Sequence, residues 1–353
     1  MIDGREALLK LILHTARFSG LAPLARPLVG GIGAILMLHR VTALPERAVD
    51  LNAHLAVEPA FLDKLLSAMK RDGYEFVDMD AAIERIRAPR RGNAPFAVIT
   101  LDDGYRDNLT EALPVFEKHA VPFTIYIAPG LTDGIVDPWW DLVEDLVQEH
   151  ESLPLATARG TDTLDCSTPQ AKRRANAYLH AYLSREIVEE EQCGWLRDLA
   201  CSVGFDHEST RRRLLMTWEE VRRIAAHPLA TIGAHTVHHY ALKCLSDDKA
   251  QREIADAAAM IAERLGERPR HMAFPYGFRS AVGAREVQLA REAGYVSAVT
   301  TRHGLLRPEH SGHLQALPRI SVNGRYQRVA HVSTMLSGVT TLMANAGRRV
   351  VTV

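Results

Sequence analysis

Apolar and polar positions along this chain follow two patterns, one typical of buried strands and one typical of amphipathic helices. Apolar runs of strand length predict strands at residues 32–38, 75–79, 96–101, 122–127, 230–234, 271–274 and 295–299. Apolar residues at helical spacing predict helices at 58–71, 110–119, 217–226, 247–265 and 284–293. Repeated strand–helix units predict an α/β fold with a parallel sheet, either doubly wound or closed into a barrel.

The alternation is interrupted over residues 138–214, where few strand candidates occur. The pattern there predicts helices at 139–148, 169–191 and 193–202. We interpret this stretch as a helical insertion in a larger domain. The predicted organisation is an N-terminal helical segment (1–31), a first barrel part (32–137), the insertion (138–214), a second barrel part (215–325) and a C-terminal helical segment (326–353).

Composition excludes some classes of protein. The chain has 353 residues, 47% of them hydrophobic, so it can bury a large core. Its formal net charge of -1 gives no basic excess, and we expect no nucleic-acid partner. The four cysteines lie far apart without a Cys-x-x-Cys pair, which favours a reducing compartment over a disulfide framework.

Residues 5–18 form an amphipathic pattern at the start of the chain. We expect a helix packed on the domain; the alternative is a helix that lies on a membrane surface. Charged residues interrupt the apolar positions, so we expect neither a secretory signal nor a transmembrane helix. The expected location is therefore the cytoplasm, with attachment to the inner membrane surface as the alternative.

Three polar segments follow predicted strands, at residues 100–104, 235–239 and 274–277. The first contains the adjacent carboxylates Asp102 and Asp103, and the second contains His235 and His239. One carboxylate with two imidazoles makes a three-ligand set for a catalytic metal, and the other carboxylate could take a proton from a bound water. Active sites of barrels lie at the C-terminal ends of their strands, so the location of these groups favours the barrel. His39, after the first strand, falls in the same layer.

Each segment alone has a simpler interpretation. Asp-Asp-Gly is a common turn or helix cap, and Pro-Tyr-Gly is a turn. Two histidines four residues apart also occur on surfaces and in cores. Their occurrence together, each after a strand, is what indicates a metal-dependent hydrolase.

At these residues the chain resembles the polysaccharide deacetylases of carbohydrate esterase family four, the NodB-homology family. Thr100–Gly104 is similar to that family's Thr-Phe-Asp-Asp-Gly motif, with Leu101 in place of Phe. Residues 235–240 are similar to His-Ser/Thr-x-x-His-Pro, with Tyr240 in place of Pro. Of the third motif, Arg-x-Pro-Tyr, Pro275 and Tyr276 remain, while Ala273 occupies the Arg position.

The resemblance covers roughly residues 32–130 and 215–322 and implies a distorted (β/α) TIM-like barrel. It also implies that Asp102 is the general base and that Asp103, His235 and His239 bind the metal. The main-chain N–H of Tyr276 would help to stabilise the oxyanion.

Two parts of the family pattern are not plainly present, the arginine that orients the base and the late histidine that acts as the acid. Arg279 and Arg319 are candidates to orient Asp102. The candidate acids are His303, His310 and His313, of which His303, shortly after a predicted strand, has the best position. These gaps concern the rate and the substrate more than the class of reaction.

We therefore expect a metal-dependent hydrolase, with zinc the expected ion, that removes N-acetyl groups from an amino-sugar glycan or glycolipid precursor. The alternatives are a catalytically degenerate carbohydrate-binding member of the fold and a different metal-dependent amidohydrolase or phosphoesterase. The candidate substrate-binding residues are Pro275, Arg319 and Trp140. Trp139 and Trp140 could stack on a sugar or lie in the core. We expect the insertion to form a cap beside the metal cleft; the alternative is a position at the bottom of the barrel.

Overall fold

The structure is a computed structural model that describes residues 29–43, 49, 51–90, 92–157 and 160–353. The amphipathic helix predicted at residues 5–18 lies outside the described residues. The strands are β1 (Gly33–Leu38), β2 (Arg40–Val41), β3 (Ala56–Val57), β4 (Glu75–Phe76), β5 (Phe96–Leu101), β6 (Phe123–Ile127), β7 (Ser152–Thr157), β8 (Gly160–Asp165), β9 (Ala230–Ala234), β10 (His271–Ala273), β11 (Ser297–His303) and β12 (Leu317–Ser321). The helices are α1 (Pro59–Arg71), α2 (Met79–Arg87), α3 (Leu113–His119), α4 (Pro129–Asp133), α5 (Trp139–Glu149), α6 (Pro169–Glu186), α7 (Glu189–Ser202), α8 (His207–Leu214), α9 (Trp218–Ala225), α10 (Asp247–Leu265), α11 (Ala284–Glu292), α12 (Val329–Leu336) and α13 (Val339–Ala344).

Seven parallel strands close into a barrel in the order β1-β12-β11-β10-β9-β6-β5, with β5 pairing back to β1. The short strand β4 pairs with the start of β5 and lies outside this ring. The predicted α/β barrel is therefore confirmed. Closure places the C-terminal ends of all seven strands around one opening, and this is the end at which parallel barrels carry their active sites.

Alternate residues of the barrel strands face two different apolar environments, as the period of a strand requires. Ile35 of β1 and Val98 of β5 belong to a cluster inside the barrel, which α2 closes from below through Ile83 and Ile86. The remaining strand residues pack under the outer helices in a larger cluster. Because both faces are covered, β1 and β5 are buried along their whole length.

The region predicted as one strand at residues 75–79 is instead the two-residue strand β4 followed by α2. Asp78 accepts a hydrogen bond from the main-chain N–H of Ala81 and so begins the helix. Strand β12 is a further element that the apolar pattern does not reveal, because Pro318 and Arg319 interrupt its run.

The insertion contains α5 to α8, but also a two-stranded antiparallel hairpin formed by β7 and β8. This hairpin is an element that the sequence did not predict. Its helices and hairpin enclose an apolar cluster of their own, which includes Leu146, Leu155, Leu179 and Leu196. The insertion is thus a small packed unit that leaves the barrel after β6 and returns to it before β9.

After β12 the chain forms α12 and α13. Val332 and Met335 of α12 join the outer barrel cluster. Within the described ranges, none of the helices has the length and apolarity that crossing a bilayer requires.

Candidate functional site

Sharp turns after three barrel strands carry the polar segments identified in the sequence. Asp103 follows β5, His239 follows β9 and Tyr276 follows β10, and their φ angles are 74°, 60° and 60°. A left-handed backbone is unfavourable for residues with a Cβ, and it persists where the surrounding structure imposes it. These turns direct the side chains toward the open end of the barrel.

Asp103, His235 and His239 converge in space. Asp103 Oδ1 lies 3.4 Å from His235 Nε2 and 3.3 Å from His239 Nε2, and all three residues are buried. One ligand atom from each lies within 4.8 Å of the others. The convergence predicted from the sequence is therefore present in the structure.

This cluster fits a metal ion. In a tetrahedral zinc site with ligand bonds of about 2.0–2.1 Å, two ligand atoms lie about 3.3–3.4 Å apart. The two measured separations have these values. Asp103 Oδ1 is buried without a hydrogen bond to any described residue, and a bound cation would satisfy it.

The main chain orients one of the imidazoles. His235 Nδ1 lies 2.7 Å from the carbonyl oxygen of Ala273 at the end of β10. A carbonyl can only accept, so Nδ1 carries the proton and Nε2 presents its lone pair to the cluster. Ala273, which occupies the arginine position of the third motif, thus orients the ligand His235 through its main-chain oxygen.

Asp102 lies beside the cluster and is paired with Arg319 of β12. The guanidinium donates to both carboxylate oxygens, with Nη1–Oδ1 and Nη2–Oδ2 each 2.7 Å. Arg319 also donates to the Thr300 carbonyl oxygen at 2.9 Å and to Thr100 Oγ1 at 3.2 Å. Two parallel bonds fix the plane of the carboxylate as well as its position.

Both aspartates are held in the ionised state. Burial alone would raise the pKa of Asp102, but Arg319, with His235 and His39, holds it below its usual value. Burial opposes ionisation of Asp103 in the same way, yet the imidazoles of His235 and His239 beside its carboxylate hold its pKa well below the usual value. Asp103 can therefore bind a cation, and Asp102 can accept a proton.

Several expected roles disagree with the structure. Arg319 is 1% exposed and its donors are used within the protein, so it cannot bind substrate. His303 was the preferred acid, but its Nε2 is 2.8 Å from Thr340 Oγ1 of α13, and burial lowers its pKa to about 4. A group with that pKa is neutral at neutral pH and is therefore not in the imidazolium form that a general acid requires.

The other candidates for these roles also lie away from the cluster. His310 is fully buried, with Nε2 3.1 Å from the Val351 carbonyl oxygen. His313 and Arg279 are exposed and have no contact with Asp102 or the three ligands among the described residues. Pro275 is buried in the turn before Tyr276, so it shapes the turn and does not offer a surface to substrate.

His39 is a site residue to which the sequence assigned a layer but no role. It follows β1, whose Leu38 pairs with Leu101 of β5 and accepts from the Asp102 N–H at 3.0 Å. Asn108 Nδ2 donates to the His39 carbonyl oxygen at 2.8 Å and fixes this turn. His39 contributes to lowering the pKa of both aspartates, which places its imidazole near them. The position after a barrel strand was the signal available in the sequence.

The insertion lies on the same side of the barrel as the cluster. The Trp140 ring centroid is 4.8 Å from that of His239, and Trp139 Nε1 donates to Tyr276 Oη at 2.9 Å. A small cavity between the insertion and the barrel is lined by both tryptophans, Gln192, His239 and Tyr276. Trp140 is 8% exposed and serves as a packing residue, whereas Trp139 is only partly buried.

Solved structures with the same architecture include deacetylases. A Streptococcus pyogenes deacetylase, PplD, in complex with acetate is similar with a TM-score of 0.56 and 18% identity, over 86% of this chain and 97% of that one. IcaB from Ammonifex degensii is similar with a TM-score of 0.54 and 17% identity, over 87% and 97%. The BpsB deacetylase domain from Bordetella bronchiseptica has a TM-score of 0.51 and 16% identity, over 82% and 95%. At these identities the likeness concerns the fold.

The sequence comparison identifies the family. No curated protein matches the sequence significantly. Residues 90–298, more than half of the chain, match the polysaccharide deacetylase family, and this range contains Asp102, Asp103, His235, His239 and Tyr276. The chain belongs to the polysaccharide deacetylase family.

Proposed function

We propose that this protein is a metal-dependent hydrolase that removes acetyl groups from the nitrogen of amino sugars in a glycan or glycolipid precursor. The observation that carries the proposal is the convergence of Asp103, His235 and His239 beside the separately oriented carboxylate of Asp102. Membership of the deacetylase family supports the same class of reaction.

The three ligands favour zinc, because imidazole nitrogens and a single carboxylate oxygen suit that ion. When bound, the ion would lower the pKa of a water molecule and polarise the acetyl carbonyl group. His235 and His239 supply neutral nitrogen donors, and Asp103 supplies the negative charge. The remaining work of the reaction falls to the protein.

Asp102 is the general base in this proposal. Arg319 fixes its carboxylate plane through two bonds of 2.7 Å, so the base is oriented before substrate binds. Its lowered pKa keeps it ionised at neutral pH and able to accept the proton of the attacking water. The guanidinium compensates the charge of the buried carboxylate.

The main-chain N–H of Tyr276 is the candidate donor to the oxyanion that develops on the acetyl carbonyl oxygen when the carbonyl carbon is attacked. The turn that carries it is fixed, because Thr301 Oγ1 donates to the Tyr276 carbonyl oxygen at 2.5 Å. The main chain at Gly277 packs closely against β11, since a Cβ there would lie 2.3 Å from the Thr301 nitrogen. A rigid donor of this kind needs no reorganisation during the reaction.

His39 is the candidate that delivers a proton to the leaving amine. It is half-buried, lies next to Asp102 at the open end of the barrel, and replaces His303 in this role. Loss of the amine requires a proton because the neutral amine is a far better leaving group than its anion. Base and acid then approach the acetamide from two neighbouring strands.

Acetate release from a panel of N-acetylated mono- and oligosaccharides tests the proposal. The protein is assayed after chelator treatment and after readdition of Zn²⁺, and bound zinc is measured per chain. We expect about one zinc per chain, activity that disappears with the metal and activity that returns with it. Zinc binding without release of acetate from any sugar would favour the catalytically degenerate carbohydrate-binding alternative.

A further inference from the structure

The loop that carries two of the ligands is held in an unfavourable backbone conformation. Residues 235–239 contain Thr236 and His239 with φ angles of 58° and 60°. Thr236 is β-branched, and a left-handed backbone is especially costly for such a residue. Contacts from outside the loop must therefore stabilise it.

Glu253 of α10 makes these contacts from beneath the loop. Its Oε2 accepts hydrogen bonds from the main-chain N–H groups of Val237, at 3.1 Å, and His238, at 2.8 Å. Its Oε1 lies 2.5 Å from His238 Nδ1. One carboxylate, 6% exposed, thus joins three groups of the segment between the two ligand histidines.

The helix that carries Glu253 is a rigid support. α10 extends over 19 residues, and Ile254, Ala257 and Ile261 pack it into the outer barrel cluster. The Val237 N–H also lies 3.1 Å from the Glu253 main-chain carbonyl oxygen. The loop is therefore fixed to the body of the barrel and not only to its own neighbours.

We propose that Glu253 is a positioning residue for the metal centre, which holds His235 and His239 at the separation that the ion requires. The inference rests on the proposed function. Val237 and His238 are not ligands, but fixing both of them fixes the chain between the two imidazoles. Removal of a group that orients a metal ligand typically lowers the affinity for the metal about 10–100-fold.

Two substitutions separate hydrogen bonding from charge. Glu253→Ala removes all three side-chain contacts and should raise the dissociation constant for Zn²⁺ about tenfold or more. Glu253→Gln should bind zinc nearly as well as the unaltered protein. Its amide oxygen can accept from both main-chain groups while its NH₂ donates to His238 Nδ1.

Two controls test whether the effect is specific. Glu286→Ala removes another buried carboxylate, which accepts from Gly283 N–H at 2.7 Å and begins α11 without touching the loop. We expect it to lower stability but not zinc affinity. His238→Ala removes only the side-chain bond to Glu253 and should have a much smaller effect than Glu253→Ala.

Zinc affinity is measured by titration against a chromophoric chelator, and the visible spectrum of the Co²⁺-substituted protein reports the ligand geometry. Thermal unfolding without metal shows whether each variant folds. If Glu253→Ala does not fold, Glu253→Asp tests the same contacts, because its carboxylate is one methylene group too short; it too should weaken zinc binding.

The outcomes distinguish the two proposals. Failure of the unaltered protein to bind zinc contradicts the proposed function. Normal zinc binding in the unaltered protein together with unchanged affinity and an unchanged Co²⁺ spectrum in a folded Glu253→Ala or Glu253→Asp variant overturns the role of Glu253. Equal losses in Glu253→Ala and Glu286→Ala also overturn it, since the effect would then be one of general stability.

Discussion

Arg319 and Asp102 lie 217 positions apart along the chain and form a two-bond ion pair inside the barrel, with both N–O distances at 2.7 Å. The pair occupies the place that the resemblance assigns to an arginine near Ala273. The arginine thus reaches the base from a different strand, and the geometry of the base is preserved.

Replacement of the arginine tests its effect on the base. Arg319→Lys keeps a positive charge but cannot form two parallel bonds, so turnover should fall while zinc content remains unchanged. Arg319 holds the pKa of Asp102 down. A weaker ion pair should therefore raise the pKa of Asp102 and move the acid limb of the pH–activity profile to higher pH. A pH–rate profile measures both effects; an unshifted acid limb would contradict the pairing as the cause.

The two adjacent aspartates should be separable by their neutral analogues. Asp102→Asn should lower turnover about 100-fold or more with zinc bound normally, because only proton acceptance is lost. Asp103→Asn should weaken zinc binding, since an amide oxygen is a poorer ligand than a carboxylate. Acetate release and zinc content are measured on both variants. If both bind zinc normally and remain active, the division of roles is wrong.

The proposed proton donor makes a prediction about leaving groups. His39→Ala should strongly reduce release of acetate from N-acetyl sugars, whose amine needs a proton, and should leave zinc binding intact. An activated aryl acetate needs no such proton, so its hydrolysis should change little. The ratio of the two activities is the measurement, and His303→Ala serves as the control. An equal loss on both substrates would assign His39 to the attack step instead.

The tryptophans should differ in what they support. Trp139→Ala should raise KM more than it lowers kcat, because this partly buried ring lines the cavity beside Tyr276. Trp140→Ala should lower the free energy of unfolding by about 3–5 kcal/mol, since it removes a buried ring. Trp195→Ala, in α7 but not among the residues that line this cavity, is the matched control. Steady-state kinetics and denaturant unfolding distinguish the two effects.

Asp141 gives a prediction about stability and pH. Burial raises its pKa to about 7, against an ordinary value of 3.8. Between about pH 4 and pH 7 the folded protein therefore holds a proton on Asp141 that the unfolded chain has lost. The contribution of this group to the free energy of unfolding is complete below about pH 4 and is lost as pH rises through about 7. The slope approaches about 1.4 kcal/mol per pH unit. Asp141→Asn should remove this component from stability curves measured by denaturant at several pH values; an unchanged slope would contradict it.

The sequence predicted the parallel barrel and the ligand set because both depend on local patterns. β5 is a fully buried and largely apolar run that Asp103 follows closely, and His235 comes directly after β9. The helix Asp247–Leu265 has the predicted bounds, and the helix predicted at 217–226 begins with a capping box formed by Thr217 and Glu220. Local patterning therefore sufficed for the central parts of the fold.

The features that were missed depend on contacts between distant segments. Hairpin β7–β8 alternates too weakly to be recognised, and it is stabilised by the apolar cluster of the insertion. The sequence did not decide whether Arg279 or Arg319 is the partner of Asp102. Only closure of the barrel brings β12, and with it Arg319, close to the end of β5. His303 was preferred as the acid because it follows a strand, but its side chain turns toward α13.

The position of β12 at the end of the barrel has a consequence for synthesis of the protein. A nascent chain acquires Asp102 early and both ligand histidines later, but Arg319 enters only with the strand that joins β11 to β1. Until that strand is inserted, the carboxylate of Asp102 lacks the guanidinium group that orients it. The general base is therefore oriented only after the barrel has closed, and the appearance of deacetylase activity during refolding would indicate that β12 has been inserted between β11 and β1.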